Sequence, residues 1–357
     1  MNYNDIANQR LANQQIIPGT IADPKQLAEW MGALQAQDLR MVKWAFGLRT
    51  QGTNLKTVDK AIDEGEIIRT HLLRPTWHFV SPEYIIPLLE LSAPRLKSSL
   101  KHRQDFLGLT PEILDESIII ISDILKGKDL KIEDIAHELK KGGVDTDNHG
   151  IYHILLWAEL SFIICSGKVS GNRQTYALLK DRVHQDGSFS KEEALGMLAK
   201  TYFTSHGPAT IKDFSWWSGL PVRDIKIALE NSGNELESIE VNKTVYWSGK
   251  NNIHDIPDDF ACLLPAFDEL IISYTDRSAV LTRADHKKAV SNNGIFRPVV
   301  IIRNQVAGLW KAVKSKEKII IELSLFRKVK KTEKAAIEKA ADDYGRFLGK
   351  MTEVKYS

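Results

Sequence analysis

Ile67-Ile68-Arg69-Thr70-His71-Leu72, the turn Leu73-Arg74-Pro75, and Thr76-Trp77-His78-Phe79-Val80 form the stretch whose period decides the fold. β-Branched and aromatic residues crowd both sides of a proline-containing turn, which predicts the two strands of a hairpin. Upstream the period is helical. Residues 4 to 13, 24 to 34, Leu39 to Leu48 and Leu55 to Glu64 carry helical spacing, with Asp23 as N-cap before Pro24 and Gly65 as a stop. Short helices followed by a two-stranded wing are the order of a winged helix-turn-helix module.

The same order recurs. Residues 83 to 107, 112 to 126 and Lys131 to Leu139 read as helices, the last closed by Gly142-Gly143. A helix from about 150 to 160 follows, then a wing from Phe162 to Leu179 that turns near Gly167 and Gly171. A third copy starts at Ser190, the N-cap of a helix through Tyr202. It continues through Thr210 to Trp217 and a helix from Pro221 to Asn231, and ends in strands at Leu236 to Val241 and Thr244 to Trp247. Beyond Asp258 the runs Ala261 to Pro265, Leu270 to Tyr274, Pro298 to Ile302, Gln305 to Trp310 and Lys318 to Leu325 are β-rich, and Lys331 to about Leu348 is helical. The expectation is an α+β fold: three tandem winged helix-turn-helix modules at 1–80, 81–188 and 189–257, then a small C-terminal antiparallel β-barrel or sheet with a terminal helix at 258–357.

Composition bounds the function classes. With 43% hydrophobic and 26% charged residues, the 357-residue chain is an ordinary globular protein of more than one domain. Cys165 and Cys262 lie far apart in apolar runs, which suits buried thiols in a reducing compartment. There is no apolar leader or 18-residue apolar run, so a cytoplasmic protein without a membrane span is expected. Net charge is +2, short of the basic excess of a non-specific nucleic-acid binder. The charge is uneven, however: Glu230 to Asp259 is acidic, and Lys311 to Lys334 is rich in lysine. Those lysines can track phosphate or form a solvated face.

Ahead of the hairpin stands Leu34-Gln35-Ala36-Gln37-Asp38. Two glutamines at the end of an apolar segment need partners for their amides, which a helix end or an inter-helix bridge would also supply. The two share the chain with Arg69-Thr70, Arg74-Pro75-Thr76-Trp77-His78, Gly207-Pro208-Ala209-Thr210, Asp213-Phe214, Trp216-Trp217-Ser218-Gly219, Leu264-Pro265, Phe267-Asp268 and Asp276-Arg277. In that order these stretches resemble the tandem winged-helix family of the AlkZ-like and YcaQ-like DNA glycosylases. The resemblance implies three winged helices curved around duplex DNA and a C-terminal β-barrel.

In the AlkZ-like branch the signature is Gln, an apolar residue, Gln; the other branch carries Asp at the last position. By resemblance, Gln35 and Gln37 hold the attacking water near the sugar C1′, with Ala36 a small version of the middle residue. The chemistry is self-consistent. An N7-alkylated purine is already a cationic leaving group, so water positioning and stabilisation of an oxocarbenium-like sugar suffice. This implies a monofunctional glycosylase acting on alkylated or crosslinked purines, with no cofactor. The alternative is a non-enzymatic winged-helix DNA-binding or regulatory protein; a protein-binding scaffold is a third.

Arg69, Arg74 and His78 on the first hairpin are the expected DNA contacts, with His71 beside them. Strand alternation also allows these side chains to be hydrogen-bonded within the core. His149 and His153 share a helix face, yet no third ligand lies near, so no metal is expected. Of the adjacent Trp216 and Trp217, at least one belongs to the core. No Gly-rich phosphate loop is present, so no nucleotide cofactor is implied. The partner is double-stranded DNA and the chain is expected to act as a monomer.

Overall fold

The computed structural model describes residues 1–357 except 18, 172, 185–188, 251–254, 316 and 357. The residue expected beside the tip of the second hairpin, 172, and the expected boundary at 188 therefore lie outside the described residues.

Helices begin where the sequence supplies side-chain acceptors for their free N–H groups. Asn2 opens α1 (Tyr3–Asn13) and Asp23 opens α2 (Pro24–Met31). Gly32, at φ 73°, ends α2 in a left-handed conformation that only glycine adopts without strain. The chain then enters a two-residue strand, β1 (Leu34–Gln35). Asp38 caps α3 (Leu39–Arg49), accepting from Arg40 N at 3.0 Å and Met41 N at 3.1 Å. After α4 (Leu55–Asp63) comes the expected hairpin, β2 (Ile68–Leu72) and β3 (Thr76–Val80). β1 adds to it, giving an antiparallel sheet of order β1-β3-β2.

The helix-then-hairpin order repeats. α5 (Pro82–Leu107), α6 (Pro111–Ile124), α7 (Ile132–Lys141) and α8 (Asn148–Leu160) precede the hairpin β4 (Ile164–Ser170) and β5 (Arg173–Leu178), with α9 (Leu179–Arg182) after it. α10 (Lys191–His206), α11 (Ile211–Ser218) and α12 (Val222–Glu230) precede β6 (Leu236–Val241) and β7 (Thr244–Gly249).

The C-terminal part holds β8 (Ala261–Leu264), α13 (Glu269–Ile272), α14 (His286–Ala289), β9 (Val299–Ile302), β10 (Gln305–Lys314), β11 (Lys318–Leu325), α15 (Lys331–Leu348) and β12 (Met351–Tyr356). Its five strands form one curled sheet, β12-β11-β10-β9-β8. Two expectations are corrected here. The sheet is mixed rather than antiparallel: α15 carries the chain back, so β12 enters parallel to β11. Leu270 to Tyr274 is not a strand, because Asp268 accepts from Leu270 N at 2.9 Å and starts α13 instead.

The apolar cores cross the chain order. One joins Phe46 and Phe79 of the first segment to Trp310 and Phe347 of the last. Gly47 makes this approach possible, since a Cβ there would stand 2.3 Å from the Phe347 ring. A second core joins the first sheet to α5, α10 and α11 through Val80, Leu89, Phe203 and Trp217. The first sheet is thus packed on both faces, and its position is fixed by three other parts of the chain.

Candidate active site

The two glutamines are placed differently, Gln35 within β1 and Gln37 beyond its end. Gln35 pairs with His78, and His78 with Thr70, so these three side chains share one face of the sheet. The other face carries Arg69, His71 and Trp77. The ladder continues one residue past β1, with Ala36 N donating to Trp77 O at 2.7 Å.

Gln35 is 6% exposed and held at both ends. Its N–H donates to Glu269 Oε1 at 2.5 Å, and its side-chain Oε1 accepts from Arg74 Nη2 at 3.0 Å. Glu269 is buried at the start of α13. It also accepts from Trp217 Nε1 at 3.2 Å and from Ser273 Oγ, and its Oε2 lies 3.5 Å from His206 Nε2. Burial alone would raise the Glu269 pKa, but His206, Ser273 and the Gln35 N–H outweigh it and hold the carboxyl at about 2. An ionised carboxylate therefore sits directly beneath the first glutamine.

Gln37 is exposed. Its Oε1 accepts from Trp77 N at 3.1 Å, which fixes the amide at the open end of the sheet. Between the glutamines, Ala36 O accepts from Arg69 Nε at 2.9 Å and Nη2 at 2.7 Å. The Arg69 guanidinium lies 4.0 Å over the Trp77 ring and also bonds Gln174 of β5. Its backbone N–H donates to Ser166 Oγ at 2.8 Å, so the second hairpin braces the first. Burial lowers the Arg69 pKa to about 10, with Glu159 opposing the shift. His71 pairs with Glu159, which is buried in α8 and whose pKa burial raises.

Two of the three residues expected to contact DNA lie in the interior of the fold. Arg69, 7% exposed, spends its guanidinium on Ala36, Gln174 and Trp77. His78 is fully buried, its Nδ1 donating to Thr76 O at 2.9 Å. Burial pushes the His78 pKa down to about 3 against the pull of Glu269, so the ring is neutral at neutral pH. The core alternative applies to both residues, because β1 covers the strand edge and two helical units cover the faces. Arg74 remains half-buried beside Gln35, with its guanidinium 5.1 Å from the Trp216 ring.

Trp217 is core at 1% exposure, while Trp216 is 41% exposed. Cys165 and Cys262 are buried free thiols. His149 and His153 line a cavity of about 220 Å³ with His71 and Glu159. Among the described residues no group of three or more His, Cys, Asp or Glu side chains is arranged to hold a metal. No helix there is long and apolar enough to cross a membrane. Sequence reading missed Glu269 and His206. The only local signal for Glu269 was its place after Asp268, and its partners at 35, 206, 217 and 273 are mostly remote in sequence.

The motif thus presents two neutral amide oxygens, each held by one donor and keeping a second lone pair. That set can orient water, whereas it lacks a strong base. Over 361 aligned positions, covering 95% of each chain, the protein is 24% identical to an interstrand DNA cross-link repair glycosylase of Streptomyces sahachiroi. The solved structure of Streptomyces sahachiroi DNA glycosylase AlkZ has the same fold, with a TM-score of 0.79 at 20% identity over 100% of both chains. The family model for DNA glycosylase AlkZ-like matches residues 28–347. This selects the enzymatic reading over the regulatory one: the chain belongs to the AlkZ-like DNA glycosylase family.

Proposed function

We propose that the protein hydrolyses the N-glycosyl bond of purines alkylated at N7, with Gln35 and Gln37 holding the attacking water at the sugar C1′. The water oxygen bonds to C1′ as the C1′–N9 bond breaks. Its electron pair stays on the base and cancels the ring's positive charge, and the spare water proton passes to solvent. The observation that carries this reading is the pair of fixed amides, the first of them seated on the ionised Glu269 carboxylate. The carboxylate favours the positive charge that develops on the sugar, and Arg74 offsets part of that field.

The three helix-hairpin units act as winged-helix modules at 1–80, 81–188 and 189–257, presenting a monomer's concave face to duplex DNA, with Arg74 at the substrate. Gln37 stands at the surface rather than in a deep pocket, which supports bulky adducts as substrates. The cross-link repair activity named for the Streptomyces relative extends to this chain on the same ground. The test is release of free base from a duplex carrying N7-methylguanine, comparing wild type with Gln35→Ala/Gln37→Ala at matched thermal stability. Release lost in the double variant supports the assignment. Equal release overturns it. Release from a crosslinked duplex alone would confine the substrate to bulky lesions.

A further inference from the structure

Beside Gln35 lies a cationic group that the glutamine pair does not use. Arg74, in the turn of the first hairpin, and Arg277, after α13, approach one exposed ring, with guanidinium carbons 5.1 and 6.0 Å from the Trp216 centroid. Trp216 is held rigidly because its Nε1 donates to Ile272 O at 2.8 Å. Arg277 is steered by bonds from Nε to Ile271 O at 2.7 Å and from Nη1 to Thr275 O at 3.4 Å, and it covers the Phe296 ring at 5.1 Å. The acceptors of both arginines are neutral: an amide oxygen for Arg74 and backbone carbonyls for Arg277.

Two half-buried cations held this close repel each other. Burial lowers both pKa values; Glu269 opposes the shift of Arg74, and Asp213 and Asp276 oppose that of Arg277 while Arg74 adds to it, yet neither arginine makes a direct ion pair with these carboxylates among the described residues. Asp213 is already committed to Thr210 and Thr275, accepting from Thr210 N at 2.9 Å and Thr275 N at 2.7 Å. Desolvated guanidiniums without a carboxylate of their own are sites for an external anion. The anion that a DNA glycosylase meets is a backbone phosphate.

We propose that Arg74 and Arg277, whose guanidiniums both approach the Trp216 ring, clamp phosphates of the strand whose sugar faces Gln35, with the exposed ring stacking against an unpaired base. The clamp rests on Gln35 as the reaction centre and adds to it the grip on the strand. One jaw comes from the first hairpin and the other from the C-terminal part, so strand position is set relative to Glu269 at the start of α13, whose last residue, Ile272, holds Trp216.

The test is the salt dependence of binding to an undamaged duplex, followed by fluorescence anisotropy across a potassium chloride series. Each phosphate contact contributes a slope of about −0.9 in log K against log salt. Arg277→Gln and Arg74→Gln are each expected to flatten the slope by about that amount. Arg277→Met, which keeps the stem over Phe296, serves if the glutamine variant unfolds. Trp216→Ala is expected to weaken binding to a duplex with an unpaired base at this site and leave the slope unchanged. Folded variants with the wild-type slope overturn the clamp, and a loss of thermal stability with that slope assigns Arg277 to structure alone. Base release by wild type from N7-methylguanine duplex, measured in parallel, separates the readings. A flattened slope without release removes the catalytic assignment and leaves the clamp, whereas release with unchanged slopes removes the clamp and leaves the assignment.

Discussion

The first and third hairpins share local architecture and differ in almost everything else. β2 and β3 are buried along most of their length, whereas β6 exposes four successive residues and β7 its first two. The first gains a third strand and two packed faces; the third remains a two-stranded ribbon. Polar residues in a buried hairpin favour internal partners; Arg69 and His71 find them in Ala36, Gln174 and Glu159, whereas Thr70 Oγ1 and His78 Nε2 have none among the described residues. The exposed hairpin can carry apolar side chains such as Ile239 and Val245 into solvent at little cost. Position in the fold, not hairpin sequence, decides which hairpin is buried and which is exposed.

The largest expected effect tests the support beneath Gln35. Glu269→Ala leaves Gln35 N, Trp217 Nε1 and Ser273 Oγ without their acceptor. Removing one member of such a buried charged network costs about 3–5 kcal/mol. Denaturant unfolding should show this loss, and a cost no larger than that of a substitution on the third hairpin would abolish the contrast.

Next in size is the chemistry. Gln35→Ala/Gln37→Ala should lower single-turnover base release at least about a hundredfold, close to 2.7 kcal/mol in transition-state stabilisation. The single variants sharpen the comparison. Gln37→Ala, at an exposed residue, should leave denaturant stability within about 0.5 kcal/mol of wild type. Gln35→Ala should lose about 1 kcal/mol, because it strands a half-buried Arg74.

Acid should distinguish the hairpins too. His78 has a folded pKa near 3 against an ordinary value of 6.5, so below pH 6.5 the unfolded chain takes up a proton that the folded one refuses. Its contribution to stability is whole above 6.5 and is lost progressively as pH falls toward 3. Between pH 6.5 and 5 the loss is about 2 kcal/mol. Glu269, with a folded pKa near 2, adds to acid loss only below about 4.5. His78→Gln should flatten the upper limb of the stability profile, and an unchanged limb would mean the ring is not desolvated.

What the sequence made legible follows from how local each signal was. The hairpins were readable because β-branched runs and turn residues are neighbours, and most helix starts because caps sit within three residues of what they cap. β1 escaped notice because two residues cannot show a period, and its strand character comes from β3, more than forty positions away. β12 is a partly exposed edge strand, Met-Thr-Glu-Val-Lys-Tyr, with no apolar face to announce it. The short apolar run at Leu270 fits strand and helix alike, and the Asp268 cap decided it. Gln35 and Gln37 were identified by resemblance, yet their opposite exposures arise because β1 ends at Gln35 and Gln37 lies beyond it. Arg277 stood in a matched stretch whose purpose appears only when Trp216 and Arg74 are brought beside it.

The smallest effect is the most informative about the comparison itself. Ile239 and Val245 are 41% and 47% exposed, and the register places them on opposite faces of the third hairpin, since Ile239 faces Tyr246 and Val245 faces Glu240. Threonine keeps the β-branch at either position. Ile239→Thr and Val245→Thr should therefore each change stability by no more than about 0.5 kcal/mol. The equivalent change within the first hairpin, Val80→Thr, buries a hydroxyl among Leu89, Ile68 and their neighbours and should cost about 1–3 kcal/mol. If the exposed substitutions cost as much as the buried one, some other part of the molecule must cover the third hairpin when the protein is folded in solution. The division between a hairpin packed inside the fold and one that meets solvent would then have to be redrawn.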